Sequence, residues 1–141
     1  MGMFDSFRIS GSGLTAERVR MDTIANNLAN ANTTRTEDGG PYRRQMAVFE
    51  AVQTDSRKGQ AKKVGHGVRV VGIVDDPSPP RLVYDPQHPD ANADGYVEMP
   101  NINVVTEMVD LISATRAYEA NITAINAAKS MALKALDIGR G

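Results

Sequence analysis

The feature that most constrains this chain is a long apolar repeat in its last third, at residues 103–136. Apolar residues there recur in alternating steps of four and three, and neither Gly nor Pro interrupts them before Gly139. This 3.5-residue period predicts a helix that lies along another helix. At 1.5 Å per residue the helix would be roughly 50 Å long, and a single apolar stripe of that length requires a partner. The ten positions of the repeat are Val104, Met108, Leu111, Thr115, Tyr118, Ile122, Ile125, Lys129, Ala132 and Leu136.

The N-terminal segment carries a second helical pattern with alternating steps of three and four, in which Ile24 and Ala31 widen the stripe. Its positions are Phe4, Phe7, Gly11, Leu14, Arg18, Met21, Ala25 and Leu28. Gly residues at 11 and 13 weaken the pattern, so we expect a break or kink at residues 10–13. The pattern ends in a run rich in Asn, a residue suited to the C-terminal end of a helix. For the C-terminal helix, Asn101 or Asn103 is the expected N-cap.

The middle of the chain has a different character, with short β-branched or alternating runs between turn residues. Strands are predicted at residues 42–52, 67–74, 82–84 and 96–99, with a polar surface loop at residues 54–64. The predicted fold class is mainly α with a small β insertion. Residues 1–33 and 101–141 would form long terminal helices, packed as a coiled-coil-like pair, and residues 34–100 the β-rich middle.

Composition excludes several classes of function. The chain has 141 residues, no Cys and two His, so it holds neither a disulfide nor a thiol nucleophile. No basic cluster with interleaved aromatic residues indicates nucleic acid, and no apolar run approaches the length of a transmembrane helix. The first residues also lack the pattern of a cleaved signal peptide. Charge is uneven, with net +4 over residues 1–70 and −5 over residues 71–141, which suits head-to-tail contact between copies as well as chance scatter.

One segment resembles the start of a calcium-binding loop, Asp90-Ala91-Asn92-Ala93-Asp94-Gly95. Its twelfth position is Asn101 instead of Glu, and Pro86 and Pro89 exclude the entering helix, so a turn between two strands is favoured. No catalytic or phosphate-binding motif is present. We therefore expect no enzyme activity, no cofactor and no metal.

Several motifs resemble those of the bacterial flagellar rod, hook and hook-associated proteins. The run Ala25-Asn26-Asn27-Leu28-Ala29-Asn30-Ala31-Asn32-Thr33 is similar to the N-terminal signature of that family. Within it, the short proximal-rod members are the most similar. The resemblance to them rests on residues 40–44, 82–86, 95–97, 99–101, 107–109, 113–121 and 134–139.

The resemblance implies a structural subunit of the flagellar basal-body rod, the drive shaft that transmits torque from the membrane ring to the hook. Such proteins leave the cytoplasm through the flagellar type III export apparatus without a cleaved signal, and they assemble through their terminal helices. The implied location is the extracytoplasmic part of the basal body, in the periplasm or cell-wall zone. The implied partners are copies of the chain itself, other rod proteins and the basal ring adaptor.

A second hypothesis from a different class is a self-contained coiled-coil adaptor that binds one partner helix. In the rod hypothesis the assembly interface takes in the apolar stripes and the Asn-rich motif. Its predicted residues are Phe4, Phe7, Leu14, Met21, Ile24, Asn26, Asn27, Leu28, Asn30, Asn32, Met108, Leu111, Thr115, Tyr118, Asn121, Ile122, Ile125 and Leu136.

Overall fold

The computed structural model describes residues 2–53 and 65–141, so the loop predicted at residues 54–64 lies outside the described residues. Along the sequence, one long helix precedes and one long helix follows a middle segment of four strands, which confirms the predicted fold class. In chain order the elements are α1 (Met3–Ala29), β1 (Gln45–Gln53), β2 (Gly65–Asp75), β3 (Arg81–Tyr84), β4 (Tyr96–Met99) and α2 (Val104–Arg140). The strands pair as two separate two-stranded sheets, β1 with β2 and β3 with β4.

The chain divides into two compact units, each containing helical and strand segments. The first unit consists of residues 1–19, 48–72 and 113–141. The second unit consists of residues 20–47 and 73–112. The boundaries predicted between helical ends and a β-rich middle remain a prediction.

In the first unit, α1 runs without a break through residues 10–13, so the predicted break is wrong, and the predicted kink stays a prediction. Gly13 allows close packing there, because a Cβ atom at this position would lie 2.8 Å from the Asn121 side-chain nitrogen on α2. The Ser12 hydroxyl donates to the Ile9 carbonyl at 2.6 Å and accepts the Val68 amide of β2 at 3.1 Å. Helix–helix contact and a strand anchor therefore offset the poor helix propensity of this segment.

In the second unit, β3 and β4 form an antiparallel hairpin in which Val83 faces Val97 and Tyr84 faces Tyr96. Val97 is buried, whereas all four residues of β3 are exposed. The connection between the strands includes the segment that resembles a calcium loop, and it is a turn, as predicted. Here the Asn92 side-chain oxygen accepts the backbone amides of Asp94 and Tyr96.

The N-cap of α2 is Asn103, whose side-chain oxygen accepts the Thr106 amide at 3.2 Å. Asn101, the other candidate, accepts the Arg44 amide at 3.0 Å and donates to the Ser78 carbonyl at 3.0 Å. It therefore holds two loop segments of the second unit together. In the described part of the chain, neither helix combines the length and the hydropathy that crossing a membrane requires.

Candidate assembly interface

The Asn-rich motif at the end of α1 contains one fully buried side chain, that of Asn27. Its oxygen accepts the Gln45 amide at 2.9 Å and the Tyr42 hydroxyl at 3.0 Å. Its nitrogen donates to the Gln45 carbonyl at 2.8 Å and to the Glu107 carboxylate at 3.2 Å. These four bonds use the full hydrogen-bonding capacity of an amide group. Asn27 thus joins α1 to the start of β1 and to the first turn of α2.

Arg44 shares the partner Glu107 with Asn27 and contacts three carboxylates of the second unit. Its Nε donates to Glu107, its Nη1 to Asp76 at 3.1 Å, and its Nη2 lies 3.8 Å from the Asp110 carboxylate. The Glu107 side chain is 1% exposed. Because water cannot solvate this carboxylate, the Arg44 guanidinium and the Asn27 amide provide its partners inside the protein. A buried carboxylate without such partners would be strongly destabilising.

The surroundings of Arg44, Asp76 and Tyr42 shift their pKa values so that Arg44 and Asp76 stay charged and Tyr42 stays protonated. Burial by itself lowers the pKa of the Arg44 guanidinium, but the hydrogen bonds and charges of Glu107 and Asp76 outweigh it and raise that pKa. Hydrogen bonds from Ser78, together with Arg44, lower the pKa of Asp76. Burial, followed by the charges of Asp75 and Glu107, raises the pKa of Tyr42. Tyr42 therefore keeps the proton that it donates to Asn27.

The other Asn residues of the motif have different surroundings. Asn26 is exposed and donates to the Tyr42 hydroxyl at 3.0 Å. The Asn30 side chain donates back to the Asn26 carbonyl at 2.9 Å and accepts the Thr33 hydroxyl at 3.1 Å, which orders the chain just after α1. Asn32 is exposed. Two of the four Asn residues thus present their side chains to solvent.

The repeat predicted on α2 splits into two rows. The first row is half-buried in the subunit and consists of Leu111, Tyr118, Ile125 and Ala132. Beside it runs a row with a seven-residue spacing that lies buried or half-buried, formed by Glu107, Ala114, Asn121 and Ala128. The second predicted row is exposed along the helix and consists of Val104, Met108, Thr115, Ile122, Lys129 and Leu136. The helix therefore packs within the subunit on one side, and on another it presents to solvent a row in which four of the six side chains are apolar.

The predicted positions on α1 also divide by burial. Ile24 is buried, and Phe7, Leu14, Met21 and Leu28 are half-buried. Phe4 is 83% exposed near the start of the helix. The use of these residues in assembly remains a prediction, and the exposed ones are available for it.

Sequence reasoning missed the partners of Asn27, namely Tyr42, Gln45 and Glu107, and it missed Arg44, which pairs with Glu107. A signal was present, because Glu107 lies on the same seven-residue row as Ala114 and Ala128, where a charge requires a buried partner. This row contains no large apolar residue, since its members are small or polar, and it therefore does not stand out as an apolar stripe.

Known proteins match the chain over its whole length. The family model described as Flagella basal body rod protein matches residues 7–35, and the one described as Flagellar basal body rod FlgEFG protein C-terminal matches residues 93–138. The chain is 51% identical to the flagellar basal-body rod protein FlgC of Borreliella burgdorferi, over 100% of both chains.

Two further relatives agree. The chain is 48% identical to FlgC of Bacillus subtilis and 45% identical to FlgC of Salmonella typhimurium, in each case over 99% of this chain and 100% of the relative. The family model that matches residues 7–35 includes the buried Asn27 of α1. The family model that matches residues 93–138 includes most of α2 with its buried Glu107. From these full-length similarities, the chain belongs to the family of the flagellar basal-body rod protein FlgC.

Proposed function

We propose that this chain is a structural subunit of the flagellar basal-body rod, without catalytic activity, that polymerises through the exposed sides of its terminal helices. Membership of the FlgC family supports the role as a rod subunit. The exposed apolar row of α2 is the observation that supports this mode of assembly. Rigid side-by-side contacts of this kind would carry torque without any chemical step.

The exposed apolar surface of α2 includes a broad patch at its N-terminal end. Val105, Val109 and Ile112 widen the exposed row there, and Met108 lies between them with 53% of its surface exposed. Contiguous apolar surface of this kind marks an interaction site in soluble proteins. Complete burial of one such side chain contributes about 1.5–3 kcal/mol, which in an assembly offsets the entropy lost when helices become ordered.

The family also suggests where the subunit works and what it meets. In this proposal the chain passes through the flagellar type III export apparatus without a cleaved signal and assembles outside the cytoplasmic membrane. Its neighbours are copies of itself, other rod proteins and the basal ring adaptor. These partners would cover the apolar rows that the isolated subunit leaves in water.

The test is a charge placed in the exposed row, Val109→Asp. Because Val109 is 58% exposed, the dilute subunit should keep the helix content and urea midpoint of the parent chain. In bacteria that rely on this variant, we expect continued export of the subunit, no assembled rods and no swimming. The matched control is Val71→Asp, which introduces the same charge at an equally apolar and 61% exposed position outside the terminal helices.

A contrasting variant separates assembly from folding. Ile125 belongs to the half-buried row, so Ile125→Asp should lower the stability of the subunit itself before assembly is considered. Normal swimming of the Val109→Asp strain would contradict the proposed interface. A folded Val109→Asp subunit that still binds one helical partner in solution but forms no rods would favour the coiled-coil adaptor instead.

A further inference from the structure

Charge in this chain is separated between the two compact units. The first unit contains eleven Lys and Arg against six Asp and Glu, a net charge of +5, and the second contains five against eleven, a net charge of −6. Among the described residues of the first unit, seven cations still outnumber five anions. Opposite net charges on two surfaces of one molecule favour contact between unlike surfaces of neighbouring copies.

One exposed apolar face of the acidic unit is the outer face of the β3–β4 hairpin, and another is the N-terminal end of α2. Since Leu82 faces Glu98 and Tyr84 faces Tyr96, these four side chains share the face opposite the buried Val97. Leu82 is 61% exposed and Tyr84 is 64% exposed. The two Tyr rings pack edge to face with their centroids 5.3 Å apart, which gives the face a fixed shape.

The same hairpin also offers polar groups at its border. Asp85 donates its amide to the Gly95 carbonyl, so the hydrogen-bonded pairs of the ladder are those of Val83 and Arg81. The backbone groups of Leu82 and Tyr84 therefore point to the outer edge of β3, and β3 pairs only with β4 among the described strands. Beside the face lies an open pocket of about 290 Å³, whose lining includes Arg35, Asp90, Tyr96 and Glu98. The Asp90 carboxylate already accepts hydrogen bonds from Thr34 and Arg35, which leaves Glu98 as the carboxylate for an incoming cation.

The last turns of α2 in the basic unit have complementary chemistry. Successive steps of four, three and four place Lys129, Leu133, Leu136 and Arg140 within about 60° of one another around the helix. Leu133 and Leu136 are exposed and lie between two cations that are about 16 Å apart along the helix. This arrangement matches an apolar hairpin face with carboxylates beside it.

We propose that the outer face of the β3–β4 hairpin docks the C-terminal turns of α2 from a second copy of this chain. Leu133 and Leu136 would cover Leu82 and the two Tyr rings, and a terminal cation would meet Glu98 at the pocket. The contact is heterologous, so a pair of copies keeps one unused hairpin face and one unused helix end, and the series continues to a ring or a helical array. The inference rests on the proposed function as a rod subunit and names one of its contacts.

The absence of Cys from the chain makes the contact directly testable by disulfide formation. Full-length Leu82→Cys and Leu136→Cys proteins are mixed under mild oxidation, and the cross-linked heterodimer is quantified. The matched control replaces Leu82→Cys by Val71→Cys, which is equally exposed at 61%. We expect a yield at least about tenfold above the control, as for cysteines held within the short Cα separation of a disulfide.

A charge exchange tests the polar part of the contact. Glu98→Lys and Arg140→Glu, each introduced into the matching cysteine protein, should lower the cross-linking yield severalfold. The two changes combined should restore most of it. The parent yield should also fall between about 0.05 and 0.5 M salt, since ion pairs at the border of a contact are screened.

The outcomes separate this inference from the function on which it rests. A yield equal to that of the Val71→Cys control, from copies that associate by sedimentation, overturns the hairpin–helix contact and leaves the rod proposal standing. Sedimentation that shows no association, together with assembled rods that lack the subunit, overturns both. Loss of yield in each single charge variant without recovery in the combination shows that Glu98 and Arg140 do not pair and overturns the polar part of the contact.

Discussion

Asn27→Asp is the sharpest perturbation of the subunit, because it changes one buried atom and hardly changes the shape of the side chain. The substitution replaces the donor nitrogen, 2.8 Å from the Gln45 carbonyl and 3.2 Å from the Glu107 carboxylate, by an oxygen. Two donated bonds become contacts between acceptors. The bonds received from Gln45 and Tyr42 are compatible with the new group.

The expected cost follows from the two lost bonds. A neutral bond contributes about 0.5–1.5 kcal/mol and one to a charged group about 1.5–3 kcal/mol. Repulsion between the new carboxylate and Glu107 adds to these terms, so we expect a loss of at least about 3 kcal/mol. That is a large part of the roughly 5–15 kcal/mol by which domains of this size are stable.

Urea unfolding of the full-length variant, followed by circular dichroism, measures this loss. Asn32→Asp is the matched control, because Asn32 belongs to the same motif and is exposed. In the variant, burial and Glu107 would raise the pKa of the new carboxyl group in the folded state above its unfolded value. The destabilisation should therefore shrink as the pH falls, since the protonated acid again donates. A loss within about 0.5 kcal/mol of the control would refute the role assigned to Asn27.

Three further predictions follow from single contacts. Gly11→Ala should stabilise α1 by about 1 kcal/mol, because the space beside Gly11 is open. Gly13→Ala should stabilise α1 less or destabilise it, because the new methyl group would press on the Asn121 side chain. Urea midpoints of the two variants measure the difference. Arg44→Met should cost about 3–5 kcal/mol by leaving buried Glu107 uncompensated, and adding Glu107→Gln should recover most of it in a double-mutant cycle. The pKa of Asp90 is lowered by hydrogen bonds from Thr34 and Arg35, so its folded value lies below the unfolded one. That contribution is present above pH 3.8 and is lost as the pH falls through the folded value, and Asp90→Asn should flatten the acid limb of a urea-midpoint titration.

Periodicity in the sequence was sufficient to predict the terminal helices. The repeat from Val104 to Leu136 and the stripe from Phe4 to Leu28 correspond to α2 and α1, because the spacing of apolar residues reflects helix geometry directly. Strand positions in the middle were also predicted to within about three residues, since β-branched runs lay between clear turn signals.

Pairwise packing could not be predicted in the same way. Gly13 was interpreted as a weak point of α1, yet it is the position at which α1 approaches Asn121 of α2. Local propensity is a property of one segment, whereas this contact joins residues 108 positions apart in the sequence. The predicted break in α1 is absent because tertiary contact outweighed the propensity of a single residue.

The buried polar cluster was hidden for a related reason. Asn27 was included among the interface residues because of the family motif, but its partners Tyr42, Gln45 and Glu107 come from three other parts of the chain. An isolated Glu in an amphipathic helix is usually solvated. Glu107 is instead buried, because α1, β1 and α2 come together around it in the second unit.

The central claim is that the terminal helices present surfaces that only neighbouring subunits cover. Amide hydrogen exchange, compared between the dilute full-length subunit and the assembled protein, tests it most directly. We predict rapid exchange at the exposed N-terminal turn of α1 and the exposed last turns of α2 in the dilute subunit, with protection around the buried Asn27 and Glu107, and strong protection of both helices throughout in the assembly. Equal and strong protection of both helices in the dilute monomer would contradict the claim and favour a self-contained helical adaptor.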